Sequence, residues 1–600
     1  MINTLSQKWS LDAIFSNGSD SEELHSFLVT LEEKITSLTG KIEGENGPQS
    51  DNEIPNWLPL LNKVQTVSAE LFEVNEFVEC LQAQDVTDEK ANTLSNRVYA
   101  VNAMFDTLNT YFDQQLQTIP ETTWKLLLKQ EEVKAIAFPL QEKRENAKEK
   151  LPVEQEALIN DLSINGYHAW DNLYNATLGK LKIPFETEGE IKKLSPGQAY
   201  HLLVSTNERN ERKALAEGFK TALKEVSEVS AAALNNIGGF RLQVYKHRGW
   251  STESILKEPL QINRLTDNTL DTMWNVINQN KPVLLSYLKR KAELLGLEKL
   301  SWYDISASVG ESTKKYTYEE AAEMIVANFS TFGSELAETA RKAFEESWID
   351  CEDRDTKAPG GFAARFPLTK ESRVFMNFHG SPESIATLAH ELGHVFHQGI
   401  ISKSVPPFSQ TYAMAVGETA STFAENIVAD ANIKNARDKR EKLSLLDTKI
   451  QPAITYFMGI QSRFEFEKKF YEERKKKSLS TEELTELMLE AEKYAFNDSL
   501  ESYNEYGWIS TRHFYMTDKP FYNFPYTFGF LFSQGIYAMA KKEGHSFEEK
   551  YIELLKDTGR MSAETLALKH LGIDLTKPDF WTSAIDGIRA DIKEFLAITE

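Results

Sequence analysis

Four of the eleven histidines fall within 379–397, and two of them frame a glutamate in the run His390-Glu391-Leu392-Gly393-His394. On a helix, histidines at i and i+4 lie on one face. Both can reach a single Zn²⁺ at ~2.0–2.1 Å, with the intervening glutamate beside the remaining position. The chemistry expected is metal-assisted hydrolysis: the cation lowers the pKa of a bound water toward ~7, and Glu391 takes its proton as it attacks a carbonyl. One zinc per chain is the expected cofactor. A catalytic zinc takes a third protein ligand and keeps one position open. The run Ala415-Val416-Gly417-Glu418-Thr419-Ala420-Ser421-Thr422-Phe423-Ala424-Glu425 offers two carboxylates among small and apolar neighbours, where a buried charge needs a partner. Glu418 is the expected ligand and Glu425 the partner of a ligand imidazole. His397 is expected to support the site or the fold, because a third helical imidazole would crowd the position meant for water.

The elements needed to hold these residues are legible around them. Ser381, Pro382 and Glu383 suit the N-cap, the first helical position and the positive end of the dipole. Ile385, Leu388, Leu392, Val395 and Phe396 form one apolar face, with His390, His394 and His397 opposite. A second helix is expected over 411–429. Before the histidines, 361–368 and 372–378 read as a β-hairpin closed by Thr369-Lys370-Glu371. Elsewhere the 3.6-residue period dominates. Helices are expected over 21–38 and 60–109, with a loop at 41–55 and a short strand pair near 178–189. A domain boundary is placed near residue 190, with a helical domain over 1–190 and the chemistry in 191–600.

A second group stands out near the C-terminus. Twelve of the thirty residues in 503–532 are aromatic, against 11% for the chain. Phe514, Phe524, Phe528, Phe530 and Phe532 read as core. His513, Tyr522 and Tyr526 are the side chains expected to donate hydrogen bonds to an oxyanion.

The whole chain bounds the rest. Its 600 residues exceed one core, and a net charge of −23 argues against the basic surface that binding nucleic-acid phosphates needs. No nucleic-acid partner is expected. Two cysteines make no disulfide framework. No run reaches the ~18 apolar residues of a spanning helix, and no secretory signal is visible. These features predict a cytoplasmic protein with no membrane partner; they say nothing of its oligomeric state.

The motif 387–397, the run 418–425, and His513-Phe514-Tyr515 followed by Phe521-Tyr522 and Tyr526 together resemble the oligoendopeptidase F family, relatives of thimet oligopeptidase and neurolysin. The resemblance runs from about residue 160 to the C-terminus. It implies a mostly α, two-lobed fold with a deep substrate channel and a small β element beside a zincin-like active-site helix. It also implies hydrolysis of internal bonds of short oligopeptides, with His390, His394 and Glu418 at the zinc positions and Glu391 at the base. His513, Tyr522 and Tyr526 would match transition-state donors, and the Gly360-Gly361 turn with its hairpin a substrate-side sheet edge. The spacing from His513 to Tyr522 is longer than in thimet-type members. Two other readings stand beside this one: a non-catalytic peptide-binding protein on the same fold, and a di-iron carboxylate protein using Glu391-x-x-His394 and Glu22-x-x-His25.

Overall fold

Amphipathic runs become helices along most of the chain. The computed structural model describes residues 5–187, 189–310 and 315–600, and these are mostly α-helical with two small sheets. The run 21–38 lies in the helix Glu22–Ile42. The Ser21 hydroxyl caps it, and Leu24, Leu28, Leu31, Ile35 and Leu38 form its buried stripe. The apolar stretch 60–109 divides into Ile54–Gln84 and Glu89–Thr118, the second capped by Asp88. The strand pair expected near 178–189 starts later, pairing Ile183–Thr187 with Glu190–Leu194. Its first residues belong instead to the helix Ala169–Lys180, where the Leu181 N–H still closes on the Leu178 carbonyl.

The chain sorts into two compact units, each built from three stretches. One comprises Met1–Glu149, Thr313–Lys434 and Ile536–Asp574; the other comprises Lys150–Ser312, Asn435–Gly535 and Leu575–Glu600.

In the first unit the N-terminal helices share one core. Trp57 stacks on Phe112 and Phe77 meets Phe15 edge-on. The same core takes in Ala364, Phe366 and Phe375 of a three-stranded sheet. Burial of each such phenylalanine contributes about 1.5–3 kcal/mol. In the sheet, Glu371–Phe375 is central, antiparallel to Phe362–Phe366 and parallel to Ile349–Asp350. The hairpin is shorter than 361–378 because side chains take the flanking backbone groups. Glu73 accepts the Leu368 N–H and the Lys357 ammonium donates to the Met376 carbonyl. Lys370 makes the turn with φ +61°. Cys80 and Cys351, both in this unit, are buried free thiols.

The second unit is held by helices that cross closely. A Cβ on Gly238 of Ser227–His247 would press on the Phe470 ring of Ile460–Arg474 at 2.8 Å. Ile460–Arg474 follows a π-helical turn, Thr455–Gly459. Among the described residues, no helix is long and apolar enough to cross a membrane.

Candidate metal centre

The HExxH sequence lies in the helix Pro382–Ser404, whose N-terminus is capped by the Ser381 hydroxyl accepting from the Ser384 N–H. Ile385, Leu388, Leu392, Val395 and Phe396 are buried as the apolar face. The segment 411–429 is not one helix. A single turn, Met414–Gly417, ends at Glu418, and the helix Thr419–Lys434 begins after it. Glu418 therefore sits at the break between them. Gly393 sets how near the two segments come. A Cβ there would collide with the Ala420 carbonyl oxygen and lie 2.6 Å from the Ser421 Cα. Only a residue without a side chain lets the two backbones touch, and that contact brings Glu418 to the histidines.

The outcome is one cluster. His390 Nε2 and His394 Nε2 lie 3.2 Å and 3.5 Å from Glu418 Oε2. One ligand atom from each of the three residues falls within a 4.8 Å sphere of mutual distances, and no other such group occurs among the described residues. The Ser421 hydroxyl donates to Glu418 at 2.7 Å, and Glu425 Oε2 lies 3.3 Å from His390 Nδ1. That contact turns His390 Nε2 toward Glu418. Two imidazole nitrogens and one carboxylate, all partly exposed, fit a divalent cation with an open coordination position.

Electrostatics agree with this. Burial disfavours the His390 imidazolium, but hydrogen bonds to Glu418 and Glu425 outweigh it and hold its pKa well above the ordinary value. Burial would raise Glu418, yet His390, His394 and Ser421 bring it down to about 2. Burial lowers His394 to about 4. Glu418 is thus held as a carboxylate facing both imidazoles, where a cation would compete with a proton. Glu391 points its carboxyl into a buried position. Burial pushes it up to about 7 against the pull of His390, and Oε2 has no hydrogen-bond partner. A buried carboxylate oxygen left free beside a cation site suits a base awaiting a water.

His397 belongs to the fold. It is fully buried, its Nε2 lies 2.8 Å from the Thr558 hydroxyl, and its ring stacks on Tyr412. Glu22 and His25 are exposed on the first turn of their helix, which leaves the di-iron reading without a second ligand pair there.

The hairpin edge is narrower than a free strand. Gln398 donates to the Ala363 carbonyl and Glu76 accepts the Arg365 N–H, so these outward groups are already satisfied. The exposed backbone beside them is Gly360-Gly361. Gly360 requires its glycine at φ +101°. A Cβ on Gly361 would lie 3.5 Å from Glu391 Oε1, so a chain crossing this glycine passes beside the base. Neither Gly393 nor the capping of this edge was anticipated from the sequence. The glycine inside the motif was the available signal.

His513, Tyr522 and Tyr526, in the second unit, also come together. His513 lies in the short 3-10 helix Arg512–Tyr515, anchored by Phe514 against Phe466 and Tyr515 stacked on Tyr174. Phe521 takes φ +52°, unusual for a bulky residue, and packs on Phe464 and Tyr471. Its turn brings Tyr522 to 4.7 Å and Tyr526 to 6.4 Å from the His513 ring, centroid to centroid. Asn523 accepts from His513, a partner the sequence reading missed.

Comparison with known proteins places this geometry. The sequence model of peptidase family M3 matches residues 202–587, and that of oligopeptidase F matches 115–183. The oligopeptidase PepF of Bacillus subtilis is 24% identical over 509 residues, spanning 83% of this chain and 73% of its own. The group B oligopeptidase PepB of Streptococcus agalactiae is 23% identical over 597 residues, 96% and 94% of the two chains. Among solved structures, oligoendopeptidase-F from Enterococcus faecium superposes with a TM-score of 0.70 at 20% identity, covering 97% and 99%. PZ peptidase A, solved with an inhibitor, gives 0.75 at 18% identity over 94% and 97%. At these identities the structures establish the shared fold; the family follows from the match over most of the chain. The chain belongs to peptidase family M3, the metallo-oligopeptidases.

Proposed function

We propose that the protein is a zinc-dependent endopeptidase of short oligopeptides, with one zinc per chain held by His390, His394 and Glu418. The convergence of these three side chains around one point carries the reading. When bound there, zinc supplies Lewis acidity that polarises a carbonyl and acidifies water.

The chain's own residues do the rest. Glu425 holds the His390 ring by its Nδ1. Glu391 takes a proton from the attacking water at its free carboxylate oxygen and passes it to the leaving amine. Tyr522 and Tyr526 carry hydroxyls of the kind that stabilise an oxyanion, with His513 beside them. Gly360-Gly361 offers bare backbone to an extended substrate next to the base. The oligopeptidase names of the curated relatives support short peptides as substrates. The family models break between 183 and 202, which is the support for a boundary near residue 190, although that residue opens a strand paired with Ile183–Thr187 within one compact unit.

The test is metal analysis of the purified protein, together with cleavage of a short internally quenched peptide before and after chelation. About one zinc per chain and chelator-sensitive internal cleavage are expected. Stoichiometric zinc with no cleavage of any peptide would leave a binding protein instead.

A further inference from the structure

His513 stands between two groups that together decide which of its nitrogens carries a proton. Its Nδ1 lies 2.8 Å from Asn523 Oδ1. The Arg463 Nη1 donates to that same oxygen at 3.3 Å. An amide end and an imidazole nitrogen are each ambiguous alone, because either can donate or accept. A guanidinium is not: it only donates. The atom facing Arg463 is therefore the amide oxygen, and the Nδ1 that shares it must carry a hydrogen. The reversed amide would set its NH₂ group against the Arg463 N–H, two donors facing each other.

The surroundings hold this arrangement. Asn523 is fully buried, with the buried carboxyl of Glu467 close to its side chain but no hydrogen-bond partner on its Nδ2. Arg463, on the helix Ile460–Arg474, holds the oxygen end of the amide from a rigid element. The charged groups acting on His513 are Arg463 and Arg512, both cations, and no carboxylate pairs with it among the described residues. Burial and these cations lower its pKa, with Asn523 opposing, so the ring is neutral at neutral pH. A neutral imidazole with hydrogen on Nδ1 has a bare lone pair on Nε2. Among the described residues Nε2 has no hydrogen-bond partner, and the ring is partly exposed.

We propose that His513 accepts a backbone N–H of the bound peptide at this bare Nε2, and that Asn523, clamped by Arg463, is the positioning residue that fixes the tautomer. The inference rests on the peptidase reading above. It revises one expectation drawn from the sequence: His513 is an acceptor toward substrate, and donation to the oxyanion falls to the tyrosines.

Three measurements on the zinc-loaded protein test it. In protein labelled with ¹⁵N-histidine, the His513 imidazole signals are identified by their loss in His513→Phe. The wild type should show a protonated Nδ1 and a bare Nε2, and Asn523→Leu should shift the proton toward Nε2. A wild-type Nε2–H would overturn the proposal. The second measurement uses quenched peptides, each with one backbone nitrogen methylated. One position should cost the wild type at least tenfold in kcat/KM, chiefly through KM, and should cost His513→Phe nothing further. A His513→Phe variant slowed equally on every peptide, with all methylation effects retained, would assign His513 to the oxyanion and overturn the proposal. Asn523→Asp should keep the Nδ1 contact but stabilise the imidazolium, moving the acid limb of the kcat/KM profile to higher pH. An unmoved limb would count against Asn523 as the positioning group. A wild type that cleaves no peptide would remove the peptidase reading itself. The tautomer is read without turnover, so the two failures are told apart.

Discussion

In the first unit, His390, Glu391 and His394 ride on one capped helix, and a single contact at Gly393 adds Glu418. In the second, His513, Tyr522, Asn523 and Tyr526 come from a 3-10 turn, a loop with a left-handed phenylalanine and the start of another helix. The two imidazoles and the base are set by helical periodicity, which fixes their relative positions to within a side-chain rotamer. The second cluster is set by packing between segments, through Tyr515 on Tyr174 and Phe521 on Tyr471. Two of the three proposed ligands sit on the rigid element. The groups proposed to meet the substrate sit where short segments converge.

The contrast can be broken at several points. The largest effect is expected from Glu418→Ala, which removes one of three ligands. Metal should be lost and peptide cleavage with it, as read by metal analysis and a quenched peptide. Glu391→Gln should keep the metal and lower kcat by about 10²–10⁴-fold, the range for a lost general base. Retained zinc with near-normal turnover would refute the assignment. Tyr522→Phe touches the second cluster only. It should lower kcat by about 10²–10³-fold if its hydroxyl meets the oxyanion, with metal content unchanged.

Gly393→Ala sharpens the comparison from the side of the fold. The added methyl meets backbone of the facing helix, an overpacking expected to cost about 1–3 kcal/mol. Weaker metal affinity and a lower Tm should appear together; a drop in Tm alone would mean that Glu418 does not depend on this contact.

The smallest effect concerns pH and the second unit. Burial holds Glu467 up to about 8 although Arg241 opposes it, against an ordinary 4.5. Below about pH 4.5 the carboxyl is neutral in folded and unfolded chains alike and takes nothing from stability. As pH rises toward about 8 the unfolded chain ionises while the folded one does not, and stability falls. Glu467→Gln removes that penalty. The Tm of the variant relative to wild type should therefore grow between about pH 5 and pH 8; a difference independent of pH would show that Glu467 is ionised in the folded protein.

Much of this protein was written in local pattern. The buried stripe of Glu22–Ile42, the Ser381 cap and the two faces of the HExxH helix follow from side-chain types at helical spacing. So does the pairing of His390 with His394, because an i,i+4 separation needs no knowledge of distant residues. Glu418 was found by its apolar neighbours, although the helix assumed to carry it is broken at that residue. What only the tertiary structure decided are relations between segments far apart in sequence. The crossing at Gly393 depends on the backbone of Ala420, and the closed sheet edge depends on Glu76 and Gln398 reaching it. His397 repeats the helical face of the ligands, yet its contacts with Thr558 and Tyr412 place it in the core. The proton on His513 is settled by Arg463, fifty residues earlier in the chain, because a hydrogen bond's direction belongs to the pair of groups that share it.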